Sequence, residues 1–69
     1  MFIYEICNLD ESGQIQRARA AVCQSDMAAF QEARKDHYGH EIEIWQGPRL
    51  VARIKQEDRQ TAHPLVVIG

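Results

Sequence analysis

Residues 41–53, Glu41-Ile42-Glu43-Ile44-Trp45-Gln46-Gly47-Pro48-Arg49-Leu50-Val51-Ala52-Arg53, decide the fold. Ile42 and Ile44 alternate with Glu41 and Glu43, the period of a half-buried strand, and a second alternating run follows Pro48. Proline has no N–H to give to a ladder, so Gln46-Gly47-Pro48 belongs in the turn. The stretch predicts a hairpin with strands over 41–46 and 50–55. A three-residue turn sets Ile44 opposite Leu50 and Ile42 opposite Ala52 on an inner face. On the outer face it sets Glu43 opposite Val51 and Glu41 opposite Arg53.

Upstream of this hairpin, Ser25-Asp26 starts a helix, because a serine hydroxyl accepts from an orphan backbone N–H and an aspartate suits the positive end of the dipole. From Asp26, residues Ala29, Phe30, Ala33 and His37 form one stripe, with Ala28, Gln31, Glu32 and Lys35 on the opposite side. Gly39 is the expected left-handed stop, giving a helix of about twelve residues, roughly 18 Å long.

The N-terminal residues read as another hairpin. Phe2, Tyr4 and Ile6 share one face of a strand ending at Leu9, and Asp10-Glu11-Ser12-Gly13 makes the turn. A three-residue loop, Glu11-Ser12-Gly13, places Ile6 opposite Ala18, Tyr4 opposite Ala20 and Phe2 opposite Val22. The same register sets Glu5 opposite Arg19 on the outer face. The fold class is therefore α+β: strand, strand, helix, strand, strand, a four-stranded, largely antiparallel sheet with one helix on one face. Residues 1–55 form the single domain. Residues 56–69 are expected to be a C-terminal tail, mobile or partner-dependent, polar at first and ending in His63-Pro64-Leu65-Val66-Val67-Ile68-Gly69, where four consecutive apolar residues need cover.

Tyr4-Glu5-Ile6, Cys23-Gln24-Ser25-Asp26, Ala29, Ala33-Arg34 and Ile42-Glu43-Ile44-Trp45-Gln46-Gly47 followed by Arg49-Leu50-Val51-Ala52-Arg53 carry a resemblance. On these residues the chain resembles a family of short, uncharacterised proteins common in proteobacteria, over Met1 to Lys55. The resemblance implies a self-contained domain in an intracellular bacterial setting and lends no activity.

Sixty-nine residues with eight Lys plus Arg against ten Asp plus Glu leave room for one small core and no basic excess. Neither a membrane-spanning run nor a secretion signal is read in the sequence, so a cytoplasmic protein is expected. Cys7 and Cys23 are expected to be free thiols, with Cys23 near the helix start read as a packing residue rather than a redox sensor. His37-Tyr38-Gly39-His40 with Cys7, Cys23 and His63 has the residue types of a zinc site but loose spacing, so no metal is expected. Ser12 and Ser25 already serve a turn and a cap, and no phosphate loop occurs, so neither an enzyme nor a cofactor is expected.

The outer sheet face carries the functional expectation. By the registers above it presents Trp45, Arg49, Arg53, Arg17 and Arg19 together with Glu41 and Glu43. Tryptophan and arginine concentrate at contact centres, although Trp45 also suits a place packed on its own sheet. The reading is a noncatalytic interaction domain that binds itself, as a homodimer, or another protein through this face or a sheet edge, with Leu65 and Val67 supplying an added strand. Nucleic-acid binding is the alternative, with the four arginines on phosphates and Trp45 stacked on a base.

Overall fold

The computed structural model describes residues 1–36 and 39–55. The expectations for His37 and for the tail, Leu65 and Val67 included, lie outside the described residues. Within them the chain runs β1 (Phe2–Leu9), β2 (Ile15–Cys23), α1 (Asp26–Ala33), β3 (Glu41–Gln46) and β4 (Arg49–Lys55). The four strands form one sheet in the order β2-β1-β3-β4 with every neighbouring pair antiparallel, which is the expected α+β arrangement. The two hairpins thus lie side by side, and β1 and β3, the strands richest in isoleucine, take the centre.

The core lies between sheet and helix. Tyr4, Ile6, Ile42, Ile44 and Ile54 from the sheet and Ala29 and Ala33 from α1 form one buried cluster, joined by Cys23. Each buried isoleucine contributes roughly 1.5–3 kcal/mol, and the small alanine side chains let the helix backbone approach the strands closely. Ser25 caps α1 as expected, its hydroxyl accepting from the Ala28 N–H at 3.1 Å.

The helix ends earlier than expected, at Ala33, with Arg34 as its cap. The Lys35 and Asp36 N–H groups donate to the Glu32 and Ala33 carbonyls, tight bonds that wind the last turn and finish it. Gly39 is therefore not the helix stop. Its φ of 77° serves a close passage instead: a Cβ there would lie 2.6 Å from the Leu9 carbonyl oxygen, and the next residue, His40, donates its N–H to that same oxygen.

Both hairpins correct the expected registers. In the first, the turn itself is as read: the Asp10 N–H donates to the Gln14 carbonyl at 2.8 Å, and Leu9 faces Ile15. Gln16 is then an extra residue, and Asn8 faces Arg17. Beyond this bulge Ile6 lies opposite Arg19, Tyr4 opposite Ala21 and Phe2 opposite Cys23, in place of Ala18, Ala20 and Val22. A one-residue slip turns every following side chain to the other face. Arg17, Arg19, Ala21 and Cys23 consequently lie on the helix side, and Ala18, Ala20 and Val22 on the outer side.

In the second hairpin the loop is two residues, Gly47 at φ 58° followed by Pro48, so Gln46 faces Arg49. Val51 is the extra residue here, after which Ile44 faces Ala52, Glu43 faces Arg53 and Ile42 faces Ile54. The expected pairs of Ile44 with Leu50 and Glu41 with Arg53 are not formed. Leu50 instead lies opposite Trp45 on the outer side. Val51 packs against the core, and Arg49 reaches the helix.

Candidate interaction surface

The corrected registers divide the five side chains expected to share the outer face. Trp45 and Arg53 are there. Arg17, Arg19 and Arg49 are on the helix side.

Arg19 is tied to the helix end. Its Nη2 and Nε donate to the two carboxylate oxygens of Asp36 at 2.9 and 3.4 Å, and its Nη1 donates to Glu32 at 3.2 Å. These bonds raise the Arg19 pKa further, Asp36 acting most strongly, and the guanidinium stays charged at any working pH. Glu32 is held below the usual carboxylate range, by Lys35 first and then by Arg19.

Arg49 is tied to the helix start. Two of its nitrogens donate to the two Asp26 oxygens at 2.9 and 3.2 Å, and the Tyr4 hydroxyl donates to Asp26 at 2.7 Å. The Arg49 fork, followed by the Tyr4 hydroxyl, lowers the Asp26 pKa, while burial and then the bond to Asp26 raise that of Tyr4. The two arginines therefore clamp opposite ends of α1 onto β2 and β4.

The outer face has two different halves. Over β3 and β4 it is polar and internally paired. Glu43 accepts from the Trp45 indole N–H and from Arg53 Nε, each at 3.1 Å, and Glu41 stands 3.9 Å from the same Arg53 nitrogen. Trp45 is half-buried, with its polar edge spent inside the sheet. Over β1 and β2 the face is mainly apolar and open: Ile3 is 70% exposed, Ile15 62% and Val22 61%, with the exposed Ala18 and Ala20 between them and Glu5, opposite Ala20, the one charge. Ile3 and Val22 are directly opposite each other across the β1–β2 ladder.

Cys7 and Leu9 are buried on this outer side, apart from the core cluster. Burial pushes the Cys7 thiol up, and the Glu5 and Glu43 carboxylates add to the effect. Cys7 and Cys23 are both free thiols. Among the described residues no three His, Cys, Asp or Glu side chains come together to hold a metal ion, and no helix is long and apolar enough to cross a membrane. An apolar hollow beside α1 is lined by Met27, Phe30, Val51 and Ala52, and a polar one at the loop end by Asp10, Ser12, Gln16 and His40.

The exposed pair Ile3 and Val22 is what the sequence reading missed as a centre, since it placed Val22 opposite Phe2, on the face away from Glu5 and Arg19. A signal was present in Glu32 and Asp36. Two carboxylates near the helix end favour arginines beneath them, which forces the neighbouring alanines and Val22 outward.

The described residues define a small α+β sheet domain with a helix on one side and, among them, no element packed on the other. No family model matches the chain, and no curated protein or solved structure is significantly similar to it.

Proposed function

We propose that the protein is a small noncatalytic interaction domain that associates with a second copy of itself through the open side of the β1–β2 hairpin. The observation that carries this reading is the exposed apolar row of Ile3, Val22 and Ile15 on the side of the sheet away from the helix. Such side chains in a small domain gain by leaving water, and among the described residues nothing packs over them. Trp45, engaged with Glu43, borders this surface rather than anchors it, and Arg53 on β4 lies beyond β3.

Nucleic-acid binding draws less support from the arrangement. Arg17, Arg19 and Arg49 lie on the opposite side of the sheet from Trp45, and Arg19 and Arg49 are engaged with carboxylates of the helix region. A phosphate chain tracking those cations would meet Asp26, Glu32 and Asp36 at the same place.

Sedimentation velocity on the full chain from micromolar to submillimolar concentration tests the proposal, with Val22→Asp as the variant. Association that rises with concentration and is lost in the variant is expected. A chain that stays monomeric throughout removes self-association.

A further inference from the structure

We propose that two copies join edge to edge through β2, antiparallel and with a two-fold axis passing at Ala20, so that two four-stranded sheets become one continuous sheet. This deepens the self-association reading above and rests on it.

The two edges of the sheet are not equivalent. β4 is interrupted in its middle by the Val51 bulge and carries Arg53 and Lys55, devices that discourage pairing. β2 spans nine residues without proline, and its bulge sits at one end, leaving Arg17 to Cys23 regular. Among the described residues nothing pairs with its far side. Its arginines point to the helix side, and Arg19 is drawn away from the edge by Asp36 and Glu32.

Symmetry and the pleat limit the registers available. In an antiparallel pair, residues directly opposite point to the same side of the sheet. A two-fold axis perpendicular to the sheet also keeps each residue and its copy on the same side. The two conditions agree only when a residue lies opposite its own copy. An axis at Arg17 or Arg19 puts like charges face to face, and an axis at Ala18 sets Arg17 against Arg19. An axis at Ala21 is free of that clash but loses the pairing of Arg17 and Ala18.

The axis at Ala20 sets Arg17 opposite Cys23, Ala18 opposite Val22 and Arg19 opposite Ala21, with no arginine facing another. On the outer side it brings the exposed Val22 of each copy beside Ala18 of the other, in line with Ile3. The edge thus matches itself in apolar pattern, and the two Arg19 residues, diagonal neighbours in this register, are each held by Asp36 and Glu32 of their own copy.

The test is an oxidative cross-link in the full chain. Ala20 and its copy would lie about 5 Å apart between Cα atoms, within disulfide range. Ala18 and its copy would lie about 14 Å apart, outside it. Ala20→Cys is therefore expected to yield a covalent dimer under mild oxidant and Ala18→Cys to yield none. Mass analysis of the linked peptides separates the new bond from any involving Cys7 or Cys23, which are buried.

A measurement without substitution runs beside it: amide exchange in β2 should slow as concentration rises through dimerisation. A dimeric chain in which the A20C thiols do not link overturns the β2 pairing and leaves self-association through another surface. A monomeric chain overturns both, and β2 amides that are already protected in that monomer would mean the chain covers its own edge.

Discussion

Arg19 and Asp36 meet in a side-on pair, Nη2 to Oδ1 at 2.9 Å and Nε to Oδ2 at 3.4 Å, with the Asp36 side chain only 11% exposed. The contact fastens an edge strand to the chain just past the helix. Replacing Arg19 with Ala leaves a largely buried carboxylate without its fork, and a loss of roughly 1.5–3 kcal/mol is expected from denaturant midpoints. Arg19→Lys keeps the charge without the paired geometry and should recover part of it.

Deleting Gln16 examines the bulge itself. Without that residue Leu9 still faces Ile15 and Asn8 still faces Arg17, so every later side chain keeps its side of the sheet. The deletion variant is expected to fold, and Arg19→Ala should cost the same within it as in the full sequence. A cost that vanishes in the deletion background would show that the bulge aims Arg19 as well as setting its face.

Acid should loosen the start of the helix. The Asp26 carboxyl is held below the ordinary range by Arg49 first and Tyr4 second, so its proton binds less readily in the folded chain than in the unfolded one. The stabilisation is complete above the unfolded value, about pH 4, and is lost as pH falls through the lower folded value. Asp26→Asn should therefore be less stable than the wild type at pH 7, and the gap should narrow toward pH 2 in urea titrations. Asp10 and Glu32, also lowered, leave the variant with acid sensitivity of its own.

Gly39→Ala should be more damaging than Gly47→Ala, although both positions have positive φ. At Gly47 a Cβ meets nothing within 4 Å and the cost is conformational, about 1–2 kcal/mol. At Gly39 the same strain is joined by the Leu9 backbone at 2.6 Å, which belongs to a central strand and cannot yield. Thermal melts of the two variants should separate by several degrees, about 4–8 °C per kcal/mol for a domain of this size.

Trp45→Ala should lower stability by roughly 1–2 kcal/mol, the share of a half-buried side chain, and leave association unchanged. Trp45 is on β3, two strands from the β2 edge, and its N–H is used by Glu43. A fall in dimer affinity comparable to that of Val22→Asp would make Trp45 a contact residue.

Much of the fold was legible because it depends on neighbours in sequence. The alternation of Ile42 and Ile44 with Glu41 and Glu43, the Asp10–Gly13 turn and the Ser25 cap are short-range features, and each appears where the pattern puts it. The outer surface was read less well for one reason. In Arg17-Ala18-Arg19-Ala20 either set of alternate residues can face the core on alternation alone, and the tie is broken by the Gln16 bulge together with the Glu32 and Asp36 carboxylates that receive Arg19.

The sequence by itself determined the element order, the two hairpins and the helix start, since turns, caps and alternation act within a few residues. Tertiary structure alone decided the strand order, the two bulges and hence which arginines meet the helix. Those depend on Glu32, Asp36 and Asp26 being brought over β2 and β4 by a helix whose position exists only once the sheet has formed.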